Sequence, residues 1–320
     1  MTPAVSIVVP AFRSARHLRT AIPRLLEQEH ADFEIVIVDD GSGDDTGSTA
    51  EALAADDSRV RALLLPHNVG VAHARREGVR ASRAEYIWFV DSDDDWPDDA
   101  LMILLGAARS SDADVVIAQA EFVYRGGSRR TLAIPAVIPD ADSGFRMLLR
   151  GEITGHLWNK LFRRSIIDAV SFTPARVQSD MIMVAEALAR SARVSLAPQV
   201  VYRYQLRDDS IITSVSQRAS SLKLIDAVVT DTAKHLSLSG HPDLRYFRAR
   251  YVQLSGIKDA LLAAYSPSER RAHLRDRRQQ LRWSDIALLA RRRDARRFAL
   301  AVTAKTSLRA HRALLKIADR

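Results

Sequence analysis

Short apolar runs and helix-like segments alternate along the first hundred residues of the chain. Four runs are predicted to be buried strands because they are short and rich in β-branched or aromatic side chains: residues 5–9, 34–38, 60–65 and 86–90. Between them, leucine, isoleucine and alanine recur at the spacing of amphipathic helices. This alternation predicts an α/β fold with a right-handed, mostly parallel sheet.

Beyond residue 215 the pattern becomes helical. Helices are predicted at residues 219–236, 245–264, 267–282, 285–290 and 296–318, with breaks at residues 239–242 and 266–267. We therefore expect two parts: an α/β domain at residues 1–215 and a helical C-terminal region at residues 216–320.

Polar or aromatic residues follow each predicted strand. In chain order they are Pro10 and Phe12, Asp39 and Asp40, Asn68, and Asp91 and Asp93. In parallel α/β sheets, ligands bind beyond the carboxyl ends of the strands, so these residues are expected to share one rim. The pattern therefore predicts a single binding site there.

The most acidic of these turns places four aspartates within residues 91–95, directly after a very hydrophobic run. Such charges repel one another and lose hydration near a buried strand, so a positive group is expected to neutralise them. Asp91 and Asp93 suit a hard divalent cation that is shared with a phosphate. The alternative is a solvated acidic turn that caps the following helix.

Two common nucleotide-binding motifs are missing, since the chain contains neither GxGxxG after a strand nor GxxxxGK[ST]. Instead, residues 5–12, 36–42, 68–75 and 89–94, taken together and in this order, resemble the family 2 glycosyltransferases. The likeness is to the inverting, GT-A-fold enzymes of bacterial surface-polysaccharide and teichoic-type polymer synthesis. It covers roughly the first two thirds of the chain.

The resemblance implies a GT-A fold and a nucleotide-diphosphate sugar donor. Asp39 would accept the N3–H of uracil. Cytosine has no hydrogen there, which favours a UDP-sugar, leaves a thymidine donor open and disfavours a cytidine donor. Asp91 would contact the ribose and, with Asp93, hold Mn²⁺ or Mg²⁺ against the diphosphate. Arg75 or Arg76 would reach the diphosphate, although a solvated arginine on a helix face is the alternative.

Other donor-site residues are also inferred from the likeness. Phe12 would stack on the base, or else belong to the core. Arg207 and Ser210 fall in a segment that resembles the one folding back over the donor phosphates. Trp158 would pack under the sugar or the acceptor, but a tryptophan between Leu157 and Leu161 also fits a core position.

The resemblance continues through residues 156–162 and 172–180 and points to Asp180 as the catalytic base. An inverting transfer needs a carboxylate that takes the proton from the acceptor hydroxyl. Many relatives carry Glu-Asp where this chain has Ser179-Asp180. That difference puts acceptor binding or rate in question rather than the reaction type. The alternative role for Asp180 is an N-cap of the next helix.

Charge is distributed unevenly: residues 216–320 contain 23 Lys and Arg against 9 Asp and Glu. Such a basic region suits an anionic surface, either a membrane leaflet or a phosphate-bearing acceptor polymer, or it is simply a solvated helical bundle. No nucleic-acid motif accompanies the charge, so nucleic acid is not expected as a partner. With no signal peptide or spanning segment in the sequence, a cytoplasmic location is expected, with peripheral attachment at the inner membrane face.

Cysteine is absent, which excludes disulfides and Cys-ligated metals. Two other functions stay open at this level. One is a nucleotide-sugar-binding protein that has lost catalysis together with the acid at position 179. The other is a nucleotidyltransferase, although residues 10–14 lack the glycines that such enzymes use to grip a triphosphate.

Overall fold

All four predicted N-terminal runs are strands in the computed structural model, which describes residues 2–29, 32–138, 144–206 and 217–318. The strands are β1 (Val5–Ala11), β2 (Phe33–Asp39), β3 (Val60–Leu64), β4 (Tyr86–Phe89), β5 (Val115–Val123), β6 (Arg129–Leu132), β7 (Lys160–Arg163) and β8 (Val194–Gln205). The apolar runs form strands because both faces of the central ones are buried.

These strands form one mixed sheet. Its parallel part has β1 between β2 and β4, with β3 outside β2. Next to β4 the direction reverses: β7 pairs antiparallel with both β4 and β5. β5 also pairs antiparallel with β6 and parallel with β8. The predicted α/β class is therefore confirmed, and the carboxyl ends of β1, β2 and β4 meet at one edge.

Helices connect the strands of this sheet. They are α1 (Ala15–Leu26), α2 (Thr46–Asp56), α3 (Val71–Ala81), α4 (Ala100–Ser111), α5 (Gly144–Arg150), α6 (Arg164–Ile167) and α7 (Ser179–Arg190). The core contains an aromatic group in which Trp88 meets Trp96 and Tyr202 edge to face, with centroids 6.5 Å and 6.4 Å apart. Trp96 and Tyr202 are tilted against each other at 6.3 Å.

The C-terminal part is helical, as predicted. It contains α8 (Ala219–His235), α9 (Pro242–Phe247), a π-helical turn (Arg248–Gln253), α10 (Leu254–Leu262), α11 (Pro267–Gln280), α12 (Trp283–Arg291), α13 (Ala295–Thr306) and α14 (Leu308–Ala318). The single helix predicted at residues 296–318 is wrong. Ser307 has an extended backbone, and its Oγ accepts the Ala310 N–H at 3.3 Å, so it ends α13 and caps α14.

The described residues divide into two compact units. The first contains those within Met1–Phe145, Glu152–Pro174 and Ser179–Arg207, and the second those within Arg146–Gly151, Ala175–Gln178 and Asp208–Arg320. The predicted domain boundary after residue 215 remains a prediction. In the part of the chain that the structure describes, no helix is both long and apolar enough to cross a bilayer.

Two loops at the carboxyl edge are joined by Asp40. Its carboxylate accepts the N–H groups of Val69 at 2.7 Å and Gly70 at 2.9 Å, just before α3 begins. A negative charge at this position also interacts favourably with the N-terminus of α3. Gly41 makes the approach possible: its φ is +61°, and a Cβ there would lie 2.4 Å from the carbonyl carbon of His67. Asp40 is thus a structural connector of the rim.

We expect Gly41→Ala to lower the free energy of unfolding by more than about 2 kcal/mol, because the new methyl group meets backbone as well as a strained φ. Gly43→Ala is the matched control: Gly43 also has a positive φ, +69°, but a methyl group added there would have nothing within 4 Å. Gly43→Ala should lower the free energy of unfolding by only about 1 kcal/mol. Urea unfolding of both variants tests this, and equal losses would contradict the close-approach argument.

Candidate active site

A buried arginine holds two of the predicted site carboxylates together. Arg75 on α3 is only 4% exposed. Its Nη1 donates to Asp180 Oδ1 at 2.7 Å, and its Nη2 donates to Asp91 Oδ1 at 3.0 Å. Burial opposes the charge of Arg75, but the two carboxylates outweigh it and raise the pKa of the guanidinium. Arg75 therefore joins Asp91, 16 positions away in sequence, to Asp180, 105 positions away.

The packing of α3 explains why Arg75 lies under the rim. Its buried side contains Ala72, Arg75 and Val79 at helical spacing, together with Gly78. A Cβ at Gly78 would lie 2.4 Å from Val8 Cγ1, so only glycine lets the helix lie this close to β1. Arg75 is therefore directed toward the strand ends rather than into solvent, and the alternative of a solvated arginine is wrong for this residue.

Each carboxylate of the acidic run after β4 is accommodated differently. Asp91 pairs with Arg75, whereas Asp95 pairs with Arg24 and, at 3.4 Å, with Arg203. Asp93 is partly exposed at the rim. The prediction that positive groups neutralise this run is confirmed for Asp91 and Asp95.

Asp94 differs from these residues because its surroundings disfavour the charged form of its carboxyl group. Burial first, and the charge of Asp91 second, raise the pKa of Asp94 well above its usual range. The Tyr202 hydroxyl donates to Asp94 Oδ2 at 2.9 Å, and the Gln205 N–H donates to Oδ1 at 2.9 Å. The Tyr202 oxygen in turn accepts the N–H of Asp91 at 3.1 Å. Strand β8 thereby fixes the turn that carries Asp91.

An aromatic stack supports this tyrosine. Trp158 is 3% exposed and lies between the rings of His156, 4.6 Å away, and Tyr202, 4.9 Å away, nearly parallel to both. Its carbonyl accepts the indole N–H of Trp88 at 2.8 Å. This burial favours the core position that the sequence left open and argues against direct contact between Trp158 and a sugar.

At the ends of β1 and β2, Phe12 and Asp39 have opposite surroundings. Phe12 is 43% exposed, so a core role for its ring is wrong, while stacking on a base stays a prediction. Asp39 is buried, and its Oδ1 accepts the hydroxyl and the N–H of Ser42. The Arg13 N–H donates to the same Ser42 oxygen at 2.9 Å. Ser42 therefore links the two turns and orients the Asp39 carboxylate.

Asp180 lies in the first turn of α7, which begins at Ser179. Asp180 is therefore inside the helix, and the alternative that it is the N-cap is wrong. Ser179 is buried, so the position where many relatives carry an acid holds a small neutral side chain inside the fold. Asp180 is one quarter exposed and faces Arg75. Asp180 is therefore a carboxylate that a substrate can reach.

The remaining predicted residues lie as follows. Pro10 is partly exposed at the end of β1, and Asn68 is exposed in the turn before α3. Arg207 and Ser210 lie outside the described residues. For all of these, the assigned contacts with a donor stay predictions.

Sequence reasoning missed or left open three groups that complete the site: the Asp94–Tyr202 pair, His156 and Lys160. The only signal for them was a polar or aromatic residue within an otherwise apolar strand or turn. That signal cannot tell which strand end the side chain faces, because the order of strands in the sheet decides it.

The donor set fits a cation that is shared with a substrate. Among the described residues, no three His, Asp or Glu side chains cluster as a metal site. Asp91 and Asp93 offer hard oxygen atoms, the ligands that Mg²⁺ and Mn²⁺ prefer, but too few to hold a cation alone. Mg²⁺ is commonly bound through one or two carboxylates together with phosphate oxygens. These residues therefore suit a cation that arrives with a diphosphate.

Comparison with known proteins decides the family. The sequence profile described as "Glycosyl transferase family 2" matches residues 6–171, more than half of the chain. The chain belongs to glycosyltransferase family 2.

Curated relatives support this assignment. The succinoglycan biosynthesis protein ExoO of Rhizobium meliloti is 32% identical over 237 residues, which is 71% of this chain and 66% of ExoO. EpsH of Bacillus subtilis is 33% identical over 222 residues, 66% of this chain and 63% of EpsH. The poly(ribitol-phosphate) β-N-acetylglucosaminyltransferase TarP of Staphylococcus aureus is 27% identical over 64% of this chain and 63% of TarP. The chain therefore spans slightly less than two thirds of the length of these proteins.

The fold of this family 2 member also matches a solved structure. TarS 1–349 of S. aureus, crystallised with UDP-GlcNAc, superimposes with a TM-score of 0.68 over 97% of this chain and 90% of that chain. The identity is 18%, so the match concerns the fold. The expected GT-A fold is thereby confirmed.

We expect Arg75→Met to lower the free energy of unfolding by about 2 kcal/mol. Removing one member of a buried ion pair typically costs about 3–5 kcal/mol, and the partial exposure of both carboxylates reduces that figure. The adjacent Arg76 is the matched control, because it pairs with Glu77 near the surface; Arg76→Met should change stability by less than about 0.5 kcal/mol. Chemical denaturation measures both, and equal effects would contradict a bridging role for Arg75.

Proposed function

We propose that this family 2 member is an inverting glycosyltransferase that moves a sugar from a UDP-sugar to a hydroxyl group of a glycan, polymer or lipid-linked acceptor. Asp180 acts as the base. The observation that carries the proposal is the Asp91–Arg75–Asp180 arrangement at the carboxyl edge of the sheet. It brings the partly exposed carboxylate of Asp180 close to Asp91, which the family resemblance assigns to donor binding.

In the proposed reaction, the acceptor hydroxyl approaches Asp180 and the anomeric carbon of the donor. The Asp180 carboxylate takes the hydroxyl proton as the oxygen attacks, and the bond from the anomeric carbon to the nucleoside diphosphate breaks on the opposite face. Arg75 holds Asp180 through Oδ1, which leaves Oδ2 for the proton. A single displacement of this kind inverts the anomeric configuration.

A divalent cation at Asp91 and Asp93 would neutralise charge on the departing diphosphate. We assign these two residues to Mn²⁺ or Mg²⁺ because they lie at the rim and offer only oxygen ligands. Arg75 remains beneath them as a fixed cation, and its hydrogen bond to Asp91 Oδ1 holds that carboxylate in place.

Uridine recognition is assigned to Asp39 and Phe12. Ser42 fixes Asp39 Oδ1, and we propose that Oδ2 accepts the N3–H of uracil while the exposed Phe12 ring stacks on the base. The TarS structure with UDP-GlcNAc supports a donor of this class. A cytidine donor is disfavoured, because its N3 would present an acceptor to a carboxylate.

For the acceptor, the relatives support a surface-polymer substrate. ExoO is named for succinoglycan biosynthesis, and TarP for transfer of N-acetylglucosamine to poly(ribitol-phosphate). We propose that the buried Ser179 leaves the acceptor side of the site one negative charge poorer than in relatives with Glu-Asp. Such a site accepts an anionic acceptor with less repulsion.

Two alternatives are less favourable. Loss of catalysis would be supported if Asp180 pointed away from the rim, but it faces Arg75, which also holds Asp91. Membership of family 2 favours glycosyl transfer over nucleotidyl transfer.

The second unit suggests a place for the enzyme. On α14, Arg309, Arg312 and Lys316 are exposed and recur at the spacing of one helix face. Beside that row lie Ala310, Ala313 and Ile317, of which Ile317 is 71% exposed. A basic row next to an apolar row is typical of helices that lie in the interface of an anionic membrane. We propose that α14 holds the enzyme there.

Turnover is tested by nucleotide release from a panel of nucleotide sugars with Mn²⁺. One uridine donor should be turned over, and Asp180→Asn should reduce the rate by about 10²-fold or more, because general-base catalysis contributes about 10²–10⁴-fold. Asp93→Ala should reduce it as well. Asp98→Ala, an exposed position in the same acidic segment, is the control and should retain the wild-type rate.

Unchanged turnover by Asp180→Asn would exclude it as the base. If wild type releases no nucleotide, calorimetry with each donor decides the matter. Mn²⁺-dependent binding of a uridine donor keeps the transferase proposal, whereas binding of no donor at all refutes it.

Membrane contact is tested by sedimentation with vesicles that contain phosphatidylglycerol. Wild type should bind in low salt, and Arg309→Glu/Arg312→Glu should lose most of the binding, since each basic residue near such a surface contributes about 1 kcal/mol. Arg271→Glu/Arg275→Glu on α11 changes the net charge equally and is the control. Equal losses in both double variants would show that net charge, not the face of α14, governs the binding.

A further inference from the structure

Arg13 has an unusual backbone conformation directly after the exposed Phe12. Its φ is +51°, in the left-handed region that residues other than glycine and asparagine rarely adopt. A glycine or an asparagine would take this conformation at a lower cost in free energy. The arginine is therefore expected to have a use that offsets the strain.

The backbone of this turn is fixed to the loop that follows β2. The Arg13 N–H donates to Ser42 Oγ at 2.9 Å, and the Ser14 N–H donates to Thr46 Oγ1 at 2.9 Å. Ser42 Oγ in turn donates to Asp39 Oδ1. The strained residue is thus bonded to the same hydroxyl as the carboxylate that is proposed to bind the base.

The side chain of Arg13 contacts the ring that the proposed function assigns to base stacking. Its guanidinium carbon lies over the Phe12 ring, 5.3 Å from the centroid, which is within the range of a cation–π interaction. Phe12 is nevertheless 43% exposed, so the cation covers only part of the ring. One portion of the ring is therefore held by Arg13, and another is open to a ligand.

A solvated surface arginine does not account for these observations together. Such a residue needs no left-handed backbone. Exposed carboxylates are also available in the loop after β2, at Asp44 and Asp45. Among the described residues, however, the Arg13 guanidinium forms no ion pair and lies over the ring of Phe12 instead. The strained backbone and the position of the charge both relate Arg13 to the site of the base.

We propose that Arg13 is a positioning residue of the donor site, whose guanidinium holds one face of the Phe12 ring so that uracil stacks on the other face. This inference rests on the proposed function, in which the donor is a UDP-sugar. An exposed phenylalanine loses side-chain freedom when a base orders it, and that loss weakens binding. A ring that is already held by a cation has less freedom to lose. Arg13 thereby prepares the stacking surface before the nucleotide arrives.

Calorimetric binding of UDP in the presence of Mn²⁺ measures this effect. Arg13→Asn introduces a residue that tolerates the left-handed conformation and keeps the N–H that Ser42 accepts, but it removes the guanidinium. We expect this variant to bind UDP about 3- to 10-fold more weakly, which is the size of a cation–π contribution. Its midpoint of urea unfolding should not fall, because the backbone strain is relieved. A merely structural role of the Arg13 side chain would instead lower that midpoint.

Arg293→Asn is the matched control. Arg293 is also an exposed arginine with a positive φ, +56°, and lies just after α12. The substitution removes the same charge from the same backbone conformation, but it should leave UDP binding unchanged. Equal weakening in both variants would overturn the proposal, because net charge alone would then account for the loss.

A double-mutant cycle with Phe12→Leu tests whether Arg13 acts through the ring. In the Phe12→Leu background, Arg13→Asn should change UDP affinity by less than about twofold, since the ring that the cation holds is gone. A full additional loss would overturn the proposal, because the guanidinium would then act on the nucleotide directly. Wild-type affinity of the single variant Arg13→Asn would overturn it as well.

The result for the proposed function is separate. If wild type binds UDP and Arg13→Asn binds it equally well, only the role of Arg13 is refuted. If wild type binds no uridine nucleotide, the uridine donor is refuted, and the role of Arg13 with it. Circular dichroism checks that each variant is folded. Arg13→Gly gives the same comparison if Arg13→Asn does not fold, because glycine also accepts the left-handed backbone without the cation.

Discussion

The carboxyl edge of this sheet depends on one buried cation between two carboxylates. Arg75 joins Asp91, which follows β4, to Asp180 at the start of α7. Without a positive charge there, two acids brought together by the fold would repel each other in a partly desolvated place. The ion pair therefore does more than add stability: it makes the convergence of two distant segments electrostatically tolerable.

The remaining charges around this centre are controlled by burial as much as by pairing. Asp94 is kept toward its protonated form by its surroundings, and its partner Tyr202 holds the backbone of Asp91. Trp158 and His156 stack behind that tyrosine. One aromatic group thus supports both the turn that carries Asp91 and the segment that carries Lys160. The geometry of the site is built from the core outward, which suits chemistry that needs reacting groups held in fixed positions.

Ser179 affects the charge around Asp180, because it is a neutral residue next to that carboxylate. The described site contains Arg75 as a buried cation, with Asp91 and Asp180 as its carboxylate partners. An additional acid next to Asp180 would change that pattern, and the chain instead buries a serine there. Under the proposed function, this chain differs from relatives with Glu-Asp in the charge next to the proposed base.

Much of this was readable from the sequence. Short, continuous apolar runs predict β1 to β4, because the central strands are covered on both faces, and the polar residues after them mark the rim. The four motifs identified the family, and the helical pattern with its excess of basic residues identified the C-terminal region. Local patterns failed where a single residue overrides periodicity, as at Ser307, whose capping hydroxyl divides one predicted helix into two.

What only the tertiary structure decided is which side chains face one another. From the sequence alone, Arg75 could be a surface arginine. In the structure, Gly78 lets α3 pack closely against β1, and the Arg75 side chain is buried against Asp180. Lys160 and Tyr202 become part of the site because β7 and β8 run beside β4 and β5, an order of strands that no local pattern encodes. The sequence by itself determined the elements, the family and the chemical groups available. Their charges and partners depend on burial and strand order, which are properties of the whole fold.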